Sequence, residues 1–369
     1  MTAISAGQTT NAITRVQFED AITRTVNNRK RIYNASFALS VRWERDNTDA
    51  STDTDNFQAI LSTLNLDQAE VMVLSEQDGT PGWTFQDKIR RMFQRATMAS
   101  GKSIVFVHYA GHGEVRSGQL FAVEGRPNRR INLQRLIDSV VAGDVQDFDI
   151  GDTDTVFVLD CCYSHVATRA YDPTTRVVEI LAACDDSNPI ALTPPRNTLT
   201  GKLRGEIARR KHDSHQSVIL ADVMATIRAN STVVKPTHIV KLGVSICFRF
   251  TGVMRIDPST LAPSLRAVFS VRIVENMTRE QLERFLTWIE TLPLGYTIEL
   301  DAVYPTTSTL LIFQSAYTVF VNLAGYPGVT FISEVTSTNR RKYLKQEQRQ
   351  EDRSSTLKEN IPFSRRPKP

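Results

Sequence analysis

Apolar residues in this chain fall into short dense runs, separated by segments where they recur every three or four positions. These are the two periods of buried strands and amphipathic helices. Phe37–Val41, Val71–Leu74, Ile104–Ala110, Thr155–Leu159 and Val177–Leu181 are too short for core helices and rich in β-branched or aromatic residues, so each predicts a strand. Between them, three sets repeat at helical spacing: Phe57, Ile60, Leu61 and Leu64; Phe85, Ile89, Met92 and Ala96; Leu133, Leu136, Ile137 and Val140. Thr84 with Asp87 predicts the start of the second helix, and Asn132 the start of the third. Helices at about Leu199–Lys211 and Val218–Ala229 then lead to a strand at Val244–Phe248. Strand and helix in alternation predict an α/β fold, a mostly parallel sheet with helices on both faces.

The pattern changes after Asp257-Pro258. Strands at Val268–Val274, Tyr296–Val303, Leu310–Phe313 and Val329–Val335 are interrupted twice by helices. The first carries Leu282, Phe285, Leu286 and Ile289 behind a Thr278-to-Gln281 capping box, and the second is short, Ala316–Leu323. This β-α-β-β-α-β order predicts a small ferredoxin-like α+β domain, a fold that hosts too many functions to imply one. The expected organisation is a polar extension over 1–33 with a helix around Val16–Thr25, an α/β domain over 34–255, the α+β domain over 264–337, and a basic disordered tail over 338–369.

Composition narrows the function classes. A chain of 369 residues can bury two full cores. Four cysteines without repeated spacing make neither a disulfide framework nor a zinc ribbon. No run of about 18 apolar residues suits a bilayer span, and Met1–Gln8 lacks the order of a signal peptide, so the expectation is a cytoplasmic protein without membrane contact. The net charge of +4 is misleading, because Asn339–Pro369 holds ten Lys or Arg against four Asp or Glu. The remaining chain is slightly acidic, so nucleic acid is not an expected partner. A solvated tail accounts for the basic residues, with a nuclear address or weak polyanion contact as the alternative.

Two strand ends carry the candidate chemistry. Ile104–Ala110 runs into Gly111-His112-Gly113, and about 50 residues later Thr155–Leu159 runs into Asp160-Cys161-Cys162-Tyr163-Ser164. Neighbouring parallel strands would bring these carboxyl ends together, where open α/β sheets bind ligands. A thiol needs to lose its proton before it attacks, and a nearby imidazole takes that proton or stabilises the thiolate. Glycine at 113 leaves room for a substrate carbonyl to reach its amide, which with the Cys162 amide would form an oxyanion hole. Cys161, Cys184 and Cys247 read as small buried hydrophobes. His108 reads as a buried, hydrogen-bonded histidine, since an i, i+4 metal pair with His112 would need a helix.

This pairing of a His-Gly strand end with a Cys strand end resembles the caspases, and its wording is closest to the metacaspases. Tyr109-Ala110-Gly111-His112-Gly113 is similar to their Tyr-Ser-Gly-His-Gly, and Asp160-Cys161-Cys162-Tyr163-Ser164-His165 to their Asp-Ser-Cys-His-Ser-Gly. Tyr163 stands where histidine is usual, and His165 where glycine is usual. The resemblance covers roughly residues 35–252 and implies a caspase-like three-layer fold with cysteine endopeptidase activity. It assigns the dyad to His112 and Cys162. It also implies cleavage of proteins or peptides after Arg or Lys, with Asp160 lining the specificity pocket. Asp53 lies near where metacaspases place a second pocket carboxylate, although the surrounding Gly-Cys and Asn are absent. No resident metal or organic cofactor is implied. Calcium activation through Asp149, Asp152, Asp154, Asp185 and Asp186 is the alternative to reading those residues as solvated loops. The family context is regulated proteolysis or cell death. The rival expectation, prompted by Tyr163, His165 and the extra domain, is a catalytically inactive caspase-like regulatory or interaction module.

Overall fold

The computed structural model describes residues 12–335 except 28–31, 125–128, 146–147, 166–175, 193–197, 253, 293–296 and 306–307. The basic tail, Met1–Gln8 and Tyr296, the expected start of a strand, lie outside the described residues. Helix α1 (Arg15–Asn27) precedes β1 (Ala35–Trp43), α2 (Ala50–Thr63), β2 (Glu70–Leu74), α3 (Pro81–Met98) and β3 (Ser103–Ala110). Three short strands follow, β4 (His112–Arg116), β5 (Gln119–Val123) and β6 (Arg130–Asn132), then α4 (Leu133–Ala142), β7 (Asp154–Asp160) and β8 (Val178–Ala182). Next come α5 (Leu199–His212), β9 (Ser217–Ile219), α6 (Leu220–Asn230), β10 (Thr237–Leu242) and β11 (Cys247–Arg249). The chain continues through β12 (Arg266–Ile273), α7 (Arg279–Glu290), β13 (Glu299–Pro305), β14 (Thr309–Ala316), α8 (Tyr317–Leu323) and β15 (Val329–Val335).

The main sheet has the order β10-β8-β7-β3-β1-β2 and is parallel except for β10. Every residue of β3 is buried, as expected of a central parallel strand covered on both sides. Val105, Val107 and Tyr109 join the layer of α3 and α4, whereas Ile104 and Phe106 join that of α2, α5 and α6. The result is the expected caspase-like three-layer α/β fold. Among the described residues no helix is long and apolar enough to cross a membrane.

Three local expectations are corrected. Helix α3 begins at Pro81, not Thr84, because proline suits the first helical position; Thr84 lies inside the helix and its hydroxyl donates to Asp78 at 2.6 Å. Residues 217–219 form β9 against β11 before α6 starts, which also moves the expected Val244–Phe248 strand to Cys247–Arg249. The apolar pattern does not predict β10, because His238 and Lys241 interrupt it. Both are buried there, with His238 Nε2 2.6 Å from Glu179 Oε1.

The second sheet has the order β13-β14-β12-β15, antiparallel throughout, which is the ferredoxin-like arrangement. Its capping box forms as expected, with Gln281 N–H donating to Thr278 and Thr278 N–H to Gln281. The amino-terminal extension is not a separate appendage. Phe18, Ala21 and Ile22 of α1 lie in one core with Phe269, Phe285 and Phe313, and Phe18 stacks on Phe313 at 5.4 Å between ring centres. Ile13 also joins β12 through backbone hydrogen bonds of 2.9 Å to Arg272 and Val274. Helix α8 fastens this module to the main sheet: Tyr317 and Val321 pack with Ala225 and Val240, and the Asn322 side chain accepts the Ser245 N–H at 2.8 Å.

Candidate active site

Strands β3 and β7 are neighbours in register, with Ala110 opposite Asp160, so both turn at the same edge of the sheet. Gly111 N–H donates to Asp160 O at 3.3 Å, and the Gly111 φ of 138° is a conformation that side chains rarely adopt. That kink ends β3 and sends His112 into β4, while the Tyr109 hydroxyl donates to His112 O at 2.7 Å. Gly113 then passes directly over the cysteine turn. A Cβ on it would lie 2.1 Å from Cys162 O and 3.1 Å from Cys161 Sγ. The structure therefore brings the His112-Gly113 and Cys161-Cys162 segments together. The space that the missing Cβ frees at Gly113 is taken by the carbonyl of Cys162, so a side chain at 113 would keep the two segments apart.

The two cysteines differ in kind. Cys161 is fully buried, and burial, reinforced by Cys184 and Cys162, pushes its thiol well above the usual range. Cys162 is half-buried, and its Sγ accepts the Ala191 N–H at 3.4 Å. The following turn puts Tyr163 at φ 59° with an exposed ring, and Tyr163 N–H donates to Pro189 O at 2.7 Å. His165 turns aside, its Nε2 lying 3.1 Å from Asp186 Oδ1 and its Nδ1 3.7 Å from Cys184 Sγ. The left-handed backbone of this turn therefore falls on Tyr163, while His165 is held by Asp186 and Cys184.

His112 is half-buried, and its Nε2 lies 2.5 Å from the side-chain oxygen of Asn47. Asn47 escapes sequence reasoning, because a polar residue in the loop after β1 carries no signal until β1 is known to lie beside β3. His108 has the expected buried setting: its ring stacks on Phe57 at 4.5 Å and lies 2.8 Å from Ser40 Oγ and 3.1 Å from Thr200 Oγ1. Burial lowers its pKa to about 3, so it is neutral.

Asp160 and Asp53 come from separate elements, the end of β7 and the first turn of α2, yet both are buried, 5% and 3% exposed, and lie close enough for the Asp160 charge to act on Asp53. Thr200 N–H donates to Asp160 at 2.7 Å, and the Thr198 hydroxyl donates to Asp53 at 2.6 Å. The first turn of α5 thus covers both carboxylates, a role for Thr198 and Thr200 that is invisible in sequence. Burial, and then the Asp160 charge, push Asp53 up to about 7. Burial also raises Asp160, against the hydrogen bonds of Thr200. Among the described residues neither carboxylate has an ion-pair partner; the cation felt by Asp160 is Lys202, whose Nζ bonds Ser231 Oγ at 3.2 Å.

The carboxylates considered for calcium are spread across the fold. Asp154 opens β7 and Asp185 follows β8, at opposite ends of the parallel strands. Lys102 Nζ lies 3.1 Å from Asp154 and 3.5 Å from Asp152. Among the described residues no group of three or more His, Cys, Asp or Glu side chains is arranged to hold a metal ion.

No curated protein sequence matches the chain. Among solved structures it is similar to caspase-1 from Spodoptera frugiperda, at 14% identity over 60% of this chain and 90% of that one, with a TM-score of 0.38. It is also similar to drICE, at 12% identity over 61% of this chain and 94% of that one, with a TM-score of 0.34. Residues 32–234, more than half of the chain and the part that holds both strand ends, match the caspase domain (Peptidase C14), so this chain belongs to that cysteine peptidase family.

Proposed function

We propose that the chain is an active cysteine endopeptidase of the metacaspase type, which cleaves proteins or peptides after Arg or Lys. The observation that carries this reading is the contact of the His112-Gly113 segment with the Cys162 turn. His112 deprotonates Cys162 or stabilises its thiolate, and Asn47 fixes the orientation of the imidazole. With Nε2 engaged by Asn47, the proton moves through Nδ1. The thiolate attacks the scissile carbonyl while the amides of Gly113 and Cys162 hold the oxyanion. The intermediate collapses with cleavage of the C–N bond as the imidazolium of His112 protonates the departing amine, and water, deprotonated by His112, then hydrolyses the thioester and returns the proton to the thiol. Cys161 is unsuited to the attack, because burial keeps its proton on.

Specificity for a basic side chain rests on Asp160 with Asp53. Two buried carboxylates without an ion-paired cation would both be relieved by a guanidinium or ammonium group. The first turn of α5 covers them, so substrate entry displaces the Thr198 and Thr200 contacts.

The test combines peptides bearing Arg, Lys, Asp or Ala before the scissile bond with a thiol-directed covalent probe, with calcium and with a chelator. Wild type is expected to cleave after Arg and Lys and to label at Cys162, Cys162→Ala to do neither, and Asp160→Ala to lose the basic preference. Failure of wild type to cleave or label under either condition overturns the reading in favour of an inactive caspase-like interaction module.

A further inference from the structure

One flank of the Cys162 turn is built by the loop of residues 185–191. Its contacts with the cysteine turn include Ala191 N–H on Cys162 Sγ at 3.4 Å, Pro189 O under Tyr163 N–H at 2.7 Å, and Asp186 on His165 at 3.1 Å. The loop is held from behind at Asp185. One carboxylate oxygen of Asp185 accepts from Ser187 N–H, Ser187 Oγ and Asn188 N–H at 3.2, 2.6 and 3.1 Å, which folds the loop. The other takes the guanidinium of Arg228 at 3.4 Å. Arg228, on α6, also donates to Pro236 O at 2.7 Å and to the carboxylate of Glu334. Glu334 lies on β15 of the carboxyl-terminal module, and Lys235 donates to its second oxygen at 2.5 Å.

We propose that the carboxyl-terminal module positions the nucleophile-side loop through Glu334, Arg228 and Asp185, so that docking of the module sets the reactivity of Cys162. Arg228 and Glu334 are positioning residues that act through Asp185 on the Ala191 amide. The inference rests on reading Cys162 as the nucleophile but not on peptidase turnover. Three properties favour this chain of contacts over a casual surface pair. Arg228, Asp185 and Glu334 are each only 13–14% exposed at the side chain, so screening by water is limited. Burial alone would raise Glu334, yet the hydrogen bonds from Lys235 and Arg228 hold it below the usual carboxylate range, so it stays charged. Arg228 is a planar fork that can serve two carboxylates and a carbonyl at once, which lysine cannot do. An N–H aimed at a thiolate stabilises the charged nucleophile, so a loop that drifts loses that donor and leaves the thiol protonated.

The experiment measures the rate of Cys162 alkylation by iodoacetamide, read by mass spectrometry at neutral pH, together with hydrogen exchange of residues 185–191, on the full chain. Glu334→Gln and Asp185→Asn are each expected to slow alkylation about fivefold and speed loop exchange, the effect of weakening one charge-assisted contact. The double variant is expected to be no slower than the slower single one, because both act through one contact with the thiol. Arg228→Lys should recover part of the loss seen in Arg228→Ala. Wild-type alkylation and exchange in Glu334→Gln, or additive effects in the double variant, overturn the proposal. Hydrogen exchange reports separately on folding: a variant that exchanges throughout the main sheet is replaced by Glu334→Asp, which keeps the charge on a shorter arm and should fall between wild type and Glu334→Gln. If Glu334→Gln instead matches Glu334→Asp and wild type in alkylation, the proposal also fails. A wild type that alkylates at Cys162 but cleaves no peptide removes the peptidase reading while the coupling stands.

Discussion

Replacing Asp53 by asparagine tests the electrostatics of the covered pocket without relying on activity. Burial and the neighbouring Asp160 charge move Asp53 from its ordinary 3.8 to about 7. A change of that size makes the ionised form about 4 kcal/mol harder to hold in the folded chain than in the unfolded one. Because the folded chain binds this proton more tightly, the group's contribution to stability is fully present below about pH 4 and is lost as pH rises through 7. The asparagine side chain keeps the shape and can still accept the Thr198 hydroxyl, but it has no charge to bury. Urea unfolding at pH 5 and pH 8 should therefore show wild type losing about 3 kcal/mol more than Asp53→Asn over that interval. The comparison cancels groups that titrate alike in both proteins, Asp160 excepted, because it loses a neighbouring carboxylate in Asp53→Asn and so adds to the difference in the same direction. Equal losses, within about 0.5 kcal/mol, would show that Asp53 is already ionised or solvated and would refute the account of the pocket.

Three further outcomes follow from the contacts. Phe18→Ala should cost about 3–5 kcal/mol in urea unfolding, because Phe18 is fully buried against Phe313 and Phe285; a loss below about 1 kcal/mol would detach α1 from the second core. Gly113→Ala should slow Cys162 labelling about a hundredfold, since its Cβ would fall 2.1 Å from the Cys162 carbonyl and push the two segments apart; wild-type labelling would disprove their contact. Asn47→Ala should lower kcat about tenfold with KM unchanged, as expected of a group that only orients the base; a change confined to KM would place Asn47 in substrate binding instead.

The strand runs ending at Ala110 and Leu159 were legible because both strands are buried on two faces, so their apolar character is continuous and local. The helical stripes and the Thr278 capping box were readable for the same reason, since each depends on residues within one or two turns. Strand β10 was not readable. Its His238 and Lys241 look polar until Glu179, far away in the chain, becomes a partner for His238. Helix α1 was legible around Val16–Thr25, but the core it completes was not, because few of its residues are apolar and that core is built by the carboxyl-terminal module.

At the site, the sequence by itself determined the residue types: a histidine and a glycine at one strand end, an aspartate and two cysteines at the other. Those follow from short-range pattern. Only the tertiary structure decided the burial that separates Cys161 from Cys162, the approach of Asp53 to Asp160, the Asn47 contact to His112, and the contacts of Arg228 with Glu334 and Asp185. Each depends on the distance and solvent exposure between residues far apart in the chain, and electrostatic and hydrogen-bond strengths depend on those quantities rather than on residue type alone.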